Sequence, residues 1–188
     1  MKIKHLLLIL IPLFIILLNL NILIYNHKFY RLENKDVDEN LLDYFKGREN
    51  LKFNYTTEES IHLNDVKDLM NKLNFTVYLL VFFILVILIF NKEDLSNILV
   101  ISGVIAIMIT LTFILSDFSH LFTKFHELLF TNDYWLLPED SLLIKTYPID
   151  FFASFFRRLV LNIMITSLFV ISIGIIKNVH KQHKPRSD

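Results

Sequence analysis

Four apolar runs, each long enough to cross a bilayer as a helix, leave this chain little choice of fold. A hydrocarbon slab about 30 Å thick takes roughly 20 helical residues to span, and backbone polar groups inside it must be satisfied within the spanning structure itself. The runs lie at about 6–25, 74–90, 97–116 and 159–176, and the 54% hydrophobic content of the 188 residues agrees with them. The expected class is therefore an all-α integral membrane protein. It has four transmembrane helices in one domain over 1–188, and two long connectors, about 26–73 and 117–158, form a cap. The first run has the length of a secretory signal. However, Asn19, Asn21, Tyr25 and Asn26 stand where small residues would mark cleavage, so it reads as a retained span.

Orientation follows from the basic residues beside the span ends. Lys2 and Lys4 precede the first span, and Lys177, Lys181, Lys184 and Arg186 follow the last, which places both termini in the cytoplasm. Either orientation puts the first and third connectors on one face, and this one makes that face extracellular. Formal net charge is zero and no basic patch is interleaved with aromatics, so nucleic acid is not an expected partner. The chain has no cysteine, hence no disulfide, no thiol nucleophile and no site for its own S-lipidation.

Within the first connector, DVDENLLDYFKG has helical spacing, with Gly47 placed to end the helix. LKFNY alternates apolar and polar residues, the pattern of a short strand or an extended piece. Ser60 can then cap a helix that runs through IHLNDVKDLMNKL into the second span. NKEDLS, between the second and third spans, is only a turn. In the third connector, DFSHLFTKFHELLF is again helical and is ended by the turn-like TND. Pro148 suits the first turn of a helix that continues past Arg157 and Arg158 into the fourth span. Ser102, Ala106 and Thr110 recur every four residues, a small-residue seam for close helix approach. Asn19, Asn162 and Thr166 need polar partners inside the bundle.

Two histidines stand out because each falls on the apolar side of its helix. With about 100° per residue, His62 falls among Val66, Leu69, Met70 and Leu73, while Asn64, Asp68 and Asn71 take the other face. Asp65, three residues on, is within reach of that imidazole and would fix its tautomer. His126 falls beside the stripe of Phe118, Phe122, Phe125 and Leu129, whereas His120 joins Asp117, Lys124 and Glu127 on the solvated side. Desolvation disfavours imidazolium, so both histidines should be neutral and able to take a proton near pH 7. A histidine on an apolar face is also what an ordinary hydrogen-bonded core residue looks like.

Several chemistries find no support. FHELLF begins like a zinc-protease helix, but Phe130 occupies the position of the second metal histidine. Zinc held by His62, His126 and a carboxylate is the remaining metal alternative. There is no G-x-S-x-G elbow and no P-loop. No metal or other cofactor is called for.

H-x-x-D-V-K-x-L at 62–69, F-H-E-x-x-F at 125–130, Trp135 and L-I-x-x-x-P-x-x-F-F at 143–152 together resemble the bacterial lipoprotein intramolecular transacylase family. The resemblance implies a cell-membrane acyltransferase whose partners are diacylglyceryl-modified lipoproteins and membrane lipid. Such an enzyme moves the sn-2 acyl chain onto the α-amine of the lipoprotein's N-terminal cysteine, leaving an N-acyl, S-monoacylglyceryl product. By motif position the family's catalytic pair corresponds to His62 and His126. Asp65, Lys67, Glu127 and Trp135 match neighbouring substrate-binding or supporting positions. On this view His126 serves as base and His62 as acid or oxyanion donor, with no acyl-enzyme. Two other readings remain open: a non-catalytic protein that binds lipid or a partner, and a histidine-dependent lipid hydrolase.

Overall fold

The computed structural model describes residues 3–26, 32–90 and 95–182. Among these, seven α-helices follow a short 3-10 turn at Ile3–Leu6: α1 (Leu7–Ile24), α2 (Lys35–Phe45), α3 (Thr57–Phe90), α4 (Ser96–Ile114), α5 (Phe118–Leu129), α6 (Leu142–Thr146) and α7 (Ile149–Gln182). No strand forms among the described residues, so the protein is all-α. Residues 51–56 are irregular instead of laddered. Four helices, α1, α3, α4 and α7, are long and apolar enough to cross a membrane. Residues 91–94 of the NKEDLS turn, and Lys2, Lys184 and Arg186, lie outside the described residues.

The chain divides into two compact units. The first comprises 1–20, 76–115 and 159–188, and its core joins Leu7, Ile11, Ile15, Ile87, Ile98, Ala106 and Ile163. Lipid tails are as apolar as these side chains, so close packing and buried polar contacts must hold such helices together. Both are present. Ser102, Gly103, Ala106 and Thr110 are all buried along α4, and a Cβ on Gly103 would meet the Ser167 carbonyl at 2.9 Å. At Gly174 of α7 the neighbouring backbone is nearer, with the Ser96 carbonyl 2.7 Å from where its Cβ would stand. The amide of Asn19 donates to the Ile15 carbonyl at 2.8 Å and to the Thr166 hydroxyl at 3.2 Å. Asn19 and Thr166 are thus satisfied by one another and by backbone.

The second unit comprises 21–75 and 116–158. Its core gathers Val37, Leu41 and Phe45 from α2, Leu63 from α3 and Leu143 from α6. Gly47, at φ +70°, ends α2 as expected: its N–H donates to the Tyr44 carbonyl, and that of Arg48 to Asp43. That pair of bonds is a Schellman stop, and the left-handed conformation it needs favours glycine. The buried amide of Asn40 then holds the segment after the helix, donating to the Asn50 carbonyl at 3.0 Å and accepting from the Lys52 N–H at 3.0 Å.

Helix α3 starts at Thr57, before Ser60, because a better cap lies upstream. Thr56 Oγ1 accepts from the Glu59 N–H at 3.2 Å, and Glu59 Oε2 accepts from the Thr56 N–H at 2.8 Å. This reciprocal capping box satisfies two otherwise orphaned donors. The other carboxylate oxygen of Glu59 accepts from the Leu143 N–H at 2.8 Å, at the start of α6, and the side chain is almost completely buried.

Candidate active site

His62 sits on α3 one turn past the capping box, and His126 sits on α5. Asp117 caps α5, its side chain accepting from the His120 N–H. Both histidines belong to the second unit and are 8% and 9% exposed, so both imidazoles are withdrawn from water. Their ring centroids are 6.1 Å apart with planes inclined by 34°. Helices widely separated along the chain therefore bring the two expected side chains together.

Aromatic rings make the surroundings. Phe130 lies edge-on to His62 at 5.1 Å and stands 5.6 Å from His126. The residue that breaks the zinc-protease pattern thus packs against both imidazoles. Phe122 and Phe125 flank His126 at 4.3 and 5.4 Å, and the indole of Trp135 leans over it at 4.9 Å, inclined by 30°. Trp135 is placed by a tight turn in which the Leu136 N–H donates to the Asp133 carbonyl.

This environment sets the protonation states. Burial pulls the His62 pKa from 6.5 down to about 4, with the neighbouring His126 adding to the effect and Asp65 opposing it. Burial also lowers His126, opposed by its bond to the Phe122 carbonyl. Both lie outside the four apolar runs of the sequence, and both are neutral at pH 7 because a charged ring would lose its hydration. His126 Nδ1 is 2.7 Å from the Phe122 carbonyl oxygen. A carbonyl only accepts, so Nδ1 carries the proton and donates, leaving the Nε2 lone pair available. His62 Nδ1 is buried and has no hydrogen-bond partner.

The remaining sequence candidates divide. Trp135 joins the histidines. The Asp65 carboxylate accepts from Asn132 Nδ2 at 2.9 Å through Oδ2, and its charge opposes the lowering of the His62 pKa; His62 Nδ1 has no hydrogen-bond partner, so this aspartate does not hold the imidazole tautomer by a bond at that nitrogen. Lys67 places its ammonium 4.0 Å from the centroid of the Tyr44 ring. Glu127 is exposed and pairs with Lys124 at 2.6 Å. Neighbouring positions on a helix point about 100° apart, which is why Glu127 does not follow His126 inward. Among the described residues no three His, Cys, Asp or Glu side chains gather into a metal-holding group. Asn132 and Phe130 are the contributors that sequence reasoning overlooked. The TND turn marked the first only as a loop residue, and the second entered as the break in the zinc-protease pattern and the last position of F-H-E-x-x-F, with no place in the site.

A family model described as "Lipoprotein intramolecular transacylase Lit" matches residues 33–152, which include every residue of this cluster. Three solved structures share the fold. The lipoprotein intramolecular transacylase Lit of Bacillus cereus, determined in meso, superposes with a TM-score of 0.79 at 20% identity, covering 96% of this chain and 98% of its own. A histidine-to-alanine variant of that enzyme gives 0.78 at 20% identity, with 97% and 94% covered. A histidine-to-arginine variant gives 0.77 at 20% identity, with 96% and 92% covered. At such identity the likeness speaks for the fold. No curated protein matches the chain by sequence.

Proposed function

Because the chain belongs to the lipoprotein intramolecular transacylase (Lit) family of membrane acyltransferases, we propose that it moves the sn-2 acyl chain of a diacylglyceryl lipoprotein onto the α-amine of that lipoprotein's N-terminal cysteine. The product is the N-acyl, S-monoacylglyceryl form. The observation that carries this reading is the pair of buried imidazoles 6.1 Å apart, one of them with Nδ1 already engaged and Nε2 free to act as a base.

The amine nitrogen attacks the ester carbonyl, and His126 Nε2 takes a proton from it as the C–N bond forms. His62 stays neutral well below pH 7 and so serves better as an N–H donor to the developing oxyanion than as a base. With Nδ1 buried and unpartnered, the useful tautomer carries its proton on Nε2. Collapse of the tetrahedral intermediate breaks the C–O bond, and the proton held by His126 passes to the departing glyceryl oxygen. One N–H is lost and one O–H is gained, with no acyl-enzyme. The attack closes a medium-sized ring through the cysteine backbone, sulfur and glyceryl carbons. Holding that conformation contributes up to about 7–11 kcal/mol in well-oriented intramolecular reactions. The phenylalanine rings and Trp135 exclude water that would otherwise compete with the amine. Trp135 and Asp65 support His126, while Lys67 and Glu127 lie outside the reacting centre. The connectors at 26–73 and 117–158 face the cell exterior, opposite the basic ends of the chain.

Purified protein and a synthetic diacylglyceryl lipopeptide suffice for the test. Intramolecular transfer leaves the intact mass unchanged, so fragmentation must locate the acyl group on the N-terminal residue. Loss of one acyl chain from the intact mass identifies a hydrolase. An unchanged mass with an unmodified amine identifies a non-catalytic binder, and either result refutes the proposal.

A further inference from the structure

One amide side chain links the helix that carries His62 to the turn that covers His126. Asn132 Nδ2 donates to Asp65 Oδ2 at 2.9 Å, and Asp65 lies one helical turn beyond His62. The other end of the same amide, Oδ1, accepts from the Tyr134 N–H at 3.1 Å. Tyr134 and Trp135 are the two central residues of the turn closed by the bond from the Leu136 N–H to the Asp133 carbonyl. Asparagine side chains commonly hold the backbone two residues on in this manner. Here the amide also reaches across to a second element, and the indole it steadies is in ring contact with His126.

We infer that Asn132 is a positioning residue: by clasping the Trp135 turn to α3 through Asp65, it keeps the indole over His126 and the two imidazoles in one dry site. The inference rests on the transacylase reading and assigns Asp65 its place in it. Asp65 acts through the turn and not by orienting His62. The clasp ties the turn to α3, so losing it frees the indole to leave. Water then reaches His126, the attacking amine meets competition, and the general base loses its fixed geometry. A misplacement of about 1 Å at such a centre can cost a hundredfold in rate.

Trp135 is the chain's only tryptophan, so its fluorescence reports this turn alone. In detergent-solubilised full-length protein, Asn132→Asp keeps an oxygen for the Tyr134 N–H yet removes the donor and sets two carboxylates against each other. Asn132→Ser is the milder second variant. The expected result for both is emission at longer wavelength, greater quenching by acrylamide, and kcat lower by about 10- to 100-fold with KM within about twofold. Exchanging the partners, Asp65→Asn with Asn132→Asp, restores a donor facing an acceptor and should return both emission and kcat to within about threefold of the parent. Parental emission and kcat in Asn132→Asp would overturn the inference. So would an exchange variant that regains emission without turnover, since Asp65 would then serve by its own charge. A parent protein that gives no N-acyl product while its variants shift emission as described refutes the transacylase reading and leaves the clasp standing.

Discussion

At the scale of single residues, the proposed chemistry depends on keeping two imidazoles neutral by burial. In the unfolded chain both would bind protons near pH 6.5, whereas folded His62 does so only near 4. Between those values the unfolded state binds more protons, so folding stability is complete above about pH 6.5 and falls as the pH drops toward 4. Thermal unfolding in detergent should show a lower Tm at pH 4.5 than at pH 7, and His62→Asn should shrink that difference. Nuclear magnetic resonance titration of labelled histidine should place His62 near 4 and His126 below 6.5. Trp135→Ala should bring His126 back toward 6.5, because water regains access to its ring. An unshifted His126 in that variant would remove the indole from any part in desolvation.

At the scale of elements, helix ends decide where the histidines point. Glu59 supports two starts at once, its carboxylate accepting from Thr56 at α3 and from Leu143 at α6. Glu59→Ala removes the acceptor of the Thr56 N–H at the helix cap and strands the buried Leu143 N–H, and should destabilise the protein by about 2–4 kcal/mol. Glu59→Gln keeps one of the two accepting oxygens and sets its NH2 against the other N–H, so it should lose less than Glu59→Ala; equal losses from both would show that one retained acceptor contributes nothing without the other. Here the sequence was only partly readable. Helical periodicity placed His62 and His126 on apolar faces, and Gly47 marked the end of α2, because each signal lies within a few residues. Ser60 was the wrong cap: Thr56 and Glu59 form the reciprocal pair, a pattern visible in the chain but overshadowed by the serine nearer the apolar stripe. The Asp65–Asn132 bond joins residues 67 positions apart. No local periodicity reports such a contact, and Asp65 three residues from His62 suggested a nearer partner.

At the scale of the whole molecule, four apolar runs made the membrane class plain, because hydropathy needs no tertiary information. Packing within the spanning unit is less visible from sequence. The seam of Ser102, Ala106 and Thr110 could be read from its spacing, but the closeness of Gly174 to the Ser96 carbonyl could not. Gly174→Ala would place a methyl about where backbone already stands, and should cost about 1–3 kcal/mol in a detergent unfolding measurement. A neutral result there would mean that α4 and α7 have room to part. What joins all these scales is the claim that both buried histidines are needed for one acyl transfer. The most direct measurement is fragment mass spectrometry of a diacylglyceryl lipopeptide incubated with the parent protein, His62→Ala and His126→Ala, each first shown to be folded. The parent should yield the N-acyl fragment, with each variant slower by at least about a hundredfold; parental rates from both variants would contradict the claim.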